Sequence, residues 1–135
     1  MDLTKEVLKK IKKIGKKYKL KLVILFGSIL EGKIHSRSDI DIAMDTYENV
    51  DFKKYLKILS EFQATFSKRK VDICYIKRAD PLILWKISQG KLLYGKRRDF
   101  CEFKIYAYKN YIDYFPYFEI EKKQVLNFIR RYAYR

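Results

Sequence analysis

Two cysteines, Cys74 and Cys101, are too few for a disulfide framework, and neither sits in a Cys-x-x-Cys or Cys/His cluster of the kind that binds zinc. Both are expected to be reduced and structural. The longest uncharged apolar run, Leu22 to Phe26, falls far short of the roughly 20 residues that a bilayer span needs, so no membrane segment is expected. The first 22 residues carry apolar side chains at helical spacing but have neither the continuous apolar stretch nor the small-residue cleavage site of a secretory leader. The composition therefore predicts a soluble, cytoplasmic protein. Internal repeats, low-complexity tracts and linkers are missing, and there is a single histidine, His35.

Acidic residues are also scarce relative to basic ones. Lysine and arginine number 31 against 16 aspartates and glutamates, a formal net charge of +15, which steers any polyanion toward the chain. Nucleic acid, nucleotide phosphates and an acidic protein surface all remain possible partners. The excess is concentrated at the start, where residues 1–21 hold nine lysines against Asp2 and Glu6. A length of 135 residues suits one hydrophobic core and is too short for two.

The chain then divides by periodicity. Leu3, Val7, Leu8, Ile11 and Ile14 recur at steps of three and four, which predicts an amphipathic helix with lysines outward, capped by Asp2 or Thr4. Leu20 to Phe26 reads as a strand buried on both faces and ended by Gly27. From Asp39 the pattern alternates, with Asp39, Asp41 and Ala43 on one side and Ile40, Ile42 and Met44 on the other, the mark of a second strand. Phe52 to Phe66 repeats at helical spacing, Val71 to Ile76 is a third strand, and Asp80-Pro81 reads as an N-cap with proline at the first helical position. Leu92 to Tyr94 is a candidate edge strand. Beyond it the character changes: 13 of the 22 aromatic residues lie between Tyr94 and Tyr134, in what read as two helices separated at Pro116. Phe100, Phe103, Ala107, Tyr111 and Tyr114 are spaced to pack on a sheet, and the surplus aromatics suit a partner interface or a single-stranded RNA platform. The expected fold is α/β, a small mixed central sheet flanked by helices, with residues 1–95 as the core and 96–135 as a helical extension packing on it.

Asp39 and Asp41 project from one face of one strand, about 6 to 7 Å apart along the backbone. Two like charges side by side on a sheet are unfavourable unless a cation or a proton neutralises one of them. Hard oxygen ligands in pairs, completed by phosphate oxygens and water, suit Mg²⁺. If the third strand lies beside the second, Asp72 completes a three-carboxylate site able to hold two ions about 3.5 to 4 Å apart, the arrangement used for nucleotidyl transfer. The other half of the site is Gly27-Ser28 at the end of the first strand, where a missing Cβ lets the backbone approach a phosphate and Ser28 adds a hydroxyl. Lys33, His35 and Arg37 share the following loop; His35 reads as an exposed loop residue.

Gly27-Ser28, ten residues, then Asp39-Ile40-Asp41 resembles the signature of the DNA polymerase beta-like nucleotidyltransferase superfamily, and specifically its minimal (MNT) members. Gly32 and Ser38 fall where those proteins usually have glycine and serine, and the resemblance continues through Asp72 to Gly90-Lys91-Leu92-Leu93-Tyr94, covering roughly residues 20 to 95. Leu30 and Glu31 depart from it, standing where members often have a small and then a basic residue. The resemblance implies a Mg²⁺-dependent transferase using ATP, with Asp39, Asp41 and Asp72 as catalytic and metal residues and Gly27, Ser28 and Ser38 on the nucleotide. It also implies an antitoxin that moves AMP from ATP onto a tyrosine of a partner HEPN-domain RNase toxin. Neutralisation of the toxin by binding alone, and transfer to RNA or a small hydroxylated molecule, stand as alternatives.

Overall fold

The computed structural model describes residues 3–27 and 39–133. Ser28, Leu30, Glu31, Gly32, Lys33, His35, Arg37 and Ser38 lie outside the described residues, as does Asp2. In chain order the elements are α1 (Lys5–Lys17), β1 (Leu20–Phe26), β2 (Ile40–Thr46), α2 (Phe52–Thr65), β3 (Val71–Tyr75), a single 3₁₀ turn (Ile76–Arg78), α3 (Pro81–Ser88), β4 (Lys91–Gly95) and α4 (Arg97–Ala133).

Side-chain caps fix three helix starts. The Thr4 hydroxyl accepts from the Val7 amide at 3.3 Å, Asp51 from the Lys54 amide at 2.7 Å, and Asp80 from the Ile83 amide at 2.9 Å, each satisfying a backbone donor that the first turn leaves unpaired. Asp80 with Pro81 opens α3 as the sequence suggests.

The four strands form one sheet in the order β3-β2-β1-β4. β1 runs antiparallel to both β2 and β4, while β2 and β3 are parallel, so the sheet is mixed and the candidate edge strand is realised as β4. Strand alternation divides the buried side chains between two faces. Val23, Leu25, Ile40, Ile42 and Met44 pack with Ile11 and Ile14 of α1 and Ile58 and Phe62 of α2. Leu22, Ile24 and Ala43 pack on the opposite face with Leu84 and Ile87 of α3 and Phe103 and Ala107 of α4. Each fully buried Leu, Ile or Phe contributes about 1.5–3 kcal/mol, so the paired faces carry most of the stability.

The C-terminal region corrects one expectation. Instead of two helices parted at Pro116, α4 is continuous through it. A proline inside a helix removes one backbone donor, here the one that would serve the carbonyl of Ile112, but it leaves the residues beyond free to resume the ladder. Glu119, Glu121, Lys122, Lys123, Gln124 and Leu126 are good helix formers and do so. The inner half of α4 lies on α3, where Trp85 stacks on Tyr111 with ring centroids 4.9 Å apart. From Phe115 to Tyr132 every residue is exposed.

Candidate active site

The ends of three strands meet at one edge of the sheet. β1 finishes at Phe26, which is paired with Asp41 near the start of β2, and Asp41 is in turn register-paired with Asp72 near the start of β3. The adjacency on which the role of Asp72 depends is therefore present. Parallel neighbours in register lie about 4.8 Å apart and point to the same face, so Asp41 and Asp72 stand side by side on the face that also carries Ala43 and Cys74. Asp39 precedes β2 by one residue and is exposed.

Asp41 is the electrostatic centre of the group. Its carboxyl is half-buried, and burial first, then the charge of Asp72, then that of Asp39, push its pKa above the usual carboxylate value. All three effects disfavour the ionised form, and a bound cation would reverse them. The Lys70 ammonium lies 3.9 Å from Asp72, but both side chains are more than half exposed and the contact is weak. Among the described residues no three acidic, histidine or cysteine side chains form a ready-made ion cage. A pair of carboxylates with raised charge cost and open flanks nevertheless fits a hard divalent ion whose remaining ligands are phosphate oxygens and water.

Gly27 abuts this centre. Its φ is +90°, in the region that L side chains rarely occupy, and a Cβ there would land on Oδ2 of Asp41 and lie 3.2 Å from its Cβ and Cγ. Glycine is thus required twice, for the turn of the chain out of β1 and for backbone contact with the carboxylate. A phosphate placed against this backbone would also lie against Asp41.

One support of β3 was not apparent from sequence. Gln63 of α2 receives the Val71 amide at 3.0 Å and donates to the Arg69 carbonyl at 2.7 Å, gripping the chain on both sides of Lys70 and fixing where β3 starts. A single glutamine inside an amphipathic helix gives no sign of this. Cys74, two residues beyond Asp72, has its thiol pushed up by burial, then by Asp80 and Asp41, which keeps it protonated and a poor nucleophile. That agrees with a structural cysteine.

Residues 9–99 match the polymerase beta nucleotidyltransferase family. A protein of Methanocaldococcus jannaschii provisionally named a protein adenylyltransferase is 38% identical over 93 residues, covering 67% of this chain and 92% of the relative. The protein adenylyltransferase MntA of Shewanella oneidensis is 29% identical over 113 residues, covering 81% of this chain and 76% of MntA. Among solved structures, a toxin-antitoxin crystal structure with AMP-PNP superposes with a TM-score of 0.70 at 25% identity, over 90% of this chain and 97% of that one. An MNT antitoxin in complex with the tri-AMPylated HEPN toxin of Shewanella oneidensis shares the fold, with a TM-score of 0.68 at 22% identity over 94% and 98% of the two chains. Sheet order, site geometry and sequence agree: the chain belongs to the polymerase beta nucleotidyltransferase family.

Proposed function

We propose that this protein is an adenylyltransferase antitoxin that transfers AMP from ATP to a tyrosine of a partner HEPN-domain RNase toxin, in the cytoplasm. The observation that carries the reading is the register pairing of Asp41 with Asp72 beside the glycine that ends β1. Paired carboxylates beside a turn that has no Cβ support the binding of a metal-chelated phosphate there. The relatives named as protein adenylyltransferases, and the neighbour solved with an ATP analogue, support the choice of nucleotide.

Gly27 and Ser28 would hold the triphosphate through backbone amides and a hydroxyl, with Ser38 adding a second hydroxyl. Asp39 and Asp41 would hold Mg²⁺ against the triphosphate, and Asp72 would complete the set. When bound, two such ions supply charge neutralisation at the α-phosphate and a lowered pKa for the attacking hydroxyl. Asp72, the most exposed wall of the pair, orients the acceptor oxygen and takes up its proton. The tyrosine oxygen then bonds to the α-phosphorus while the bond to the bridging oxygen breaks, and pyrophosphate leaves. Residues 1–95 serve as the catalytic core, and residues 96–135 as the extension that meets the partner. The run of exposed Phe115, Tyr117, Phe118, Val125, Phe128 and Tyr132 along the outer half of α4 is more apolar surface than an unpartnered helix ordinarily presents, which supports docking there.

The test is incubation with Mg²⁺, α-labelled ATP and the HEPN toxin. Label on a toxin tyrosine that is lost in Asp39→Asn/Asp41→Asn supports the proposal. A tight complex that never acquires label, and is unaffected by the double substitution, would mean neutralisation by binding. Label on RNA alone would exclude both.

A further inference from the structure

The other end of the sheet carries a second feature. A cleft of about 850 Å³ opens between the C-terminal end of α1, the start of β1 and β4. Apolar side chains and backbone form its floor, with Leu20, Leu92, Leu93 and Tyr94 around Gly15. Lys12, Lys16, Lys19, Lys21 and Lys96 ring it, and no aspartate or glutamate lines it among the described residues. None of the five pairs with a described carboxylate. Because β1 begins at this cleft and ends at Asp41, the cleft lies about 20 Å from the carboxylates, the length of a seven-residue strand. It is not part of the site described above.

Two details indicate that the cleft is built rather than incidental. Lys19 has φ of 51°, at the position just past the helix cap where glycine is the usual residue. A lysine there strains the backbone and adds one more positive charge at the rim. Gly15 makes room for the floor: a Cβ at that position would meet the Tyr94 ring at 2.6 Å. Tyr47, 60% exposed, adds an aromatic face at the mouth.

Five lysines around one apolar floor, with no acidic side chain among the described lining residues, give the cleft a positive potential that attracts anions. A compact inorganic anion would use the charge and leave Tyr47 idle. An acidic peptide would likewise make little use of an open aromatic face. We propose that the cleft binds a segment of single-stranded RNA, its phosphates on the lysine ring and a base stacked on Tyr47. Charge tracking the backbone, together with an aromatic surface for bases, is the general way proteins hold single strands without reading sequence.

The test is fluorescence anisotropy of a labelled oligouridylate against the full chain over a range of salt. For single strands the logarithm of affinity falls with the logarithm of salt by about 0.7 per phosphate neutralised. Lys16→Glu/Lys96→Glu should weaken binding about tenfold and reduce that slope by about 1.4. Tyr47→Ala should weaken it about tenfold with the slope unchanged, since stacking is uncharged. Lys19→Gly should lower the slope by about 0.7 while raising the melting temperature, a combination that misfolding cannot mimic. Asp39→Asn/Asp41→Asn should leave binding as it is. The proposal is overturned if the double lysine reversal leaves affinity unchanged, if the aspartate variant abolishes binding, or if polyglutamate or tripolyphosphate of equal charge competes as well as the oligonucleotide.

Discussion

Asp41 concentrates the conflict between stability and function in one side chain. A carboxyl whose folded pKa is raised binds its proton more tightly folded than unfolded, so its ionisation near neutral pH weakens the fold. That penalty is largest above the folded pKa and disappears as pH falls below the unfolded one. Asp41→Asn should therefore be more stable than the natural protein at neutral pH in chelator, by about 2–4 °C in melting temperature, with the gap closing on acidification. Added Mg²⁺ should stabilise the natural protein and leave the variant unmoved; thermal melts at two pH values, with and without the ion, check both. The same substitution should abolish transfer. Gly27→Ala should cost both stability and activity, because its Cβ would occupy the place of the Asp41 carboxylate. Among these residues the sequence was informative about placement: the spacing and strand phase of Gly27, Asp39 and Asp41 pointed to a glycine turn beside an acidic group, and the structure sets Gly27 against Asp41 with Asp39 close enough to act on its charge. Asp72 could be marked only conditionally, because nothing local in Val71 to Tyr75 specifies which strand lies beside it.

Strands β1 and β2 were legible from an apolar run and a period-two alternation, whereas the sheet order β3-β2-β1-β4 depends on distant pairings that no window of sequence contains. Gln63 illustrates the same limit. It holds α2 to the backbone at the head of β3, and Gln63→Leu should remove the acceptor of the Val71 amide at a cost of about 1–3 kcal/mol, measured by denaturant unfolding. Transfer activity should fall further than stability explains, and Gln63→Glu, which retains the acceptor for that amide, should recover part of it. Pro116 misled for a different reason: proline usually ends a helix, but here the helix formers on its C-terminal side carry α4 onward. Since residues 116–132 are exposed and bury nothing in the core, Pro116→Ala should leave global unfolding nearly unchanged. Its gain, up to about 3 kcal/mol, should appear as slower amide exchange along the outer half of α4.

For the whole molecule, the structure separates three surfaces that the net charge of +15 had merged. An acidic edge lies where β1, β2 and β3 meet, a lysine-ringed cleft lies at the far end of β1, and an exposed apolar and aromatic stretch covers the outer half of α4. Much of the basic excess of α1 reads in sequence as a solvated helix face. The cleft was invisible there because its lining comes from α1, β1, β4 and Tyr47, which only the fold brings together. Among the described residues no helix is long and apolar enough to cross a membrane. If paired Asp41 and Asp72 serve adenylyl transfer to a protein partner, the intact mass of the HEPN toxin after incubation with this protein, ATP and Mg²⁺ will report it. The toxin should become heavier by whole adenylyl groups with the natural chain and stay unmodified with Asp72→Asn, in a variant that should still fold and form the complex. A toxin modified equally by both, or by neither, would contradict it.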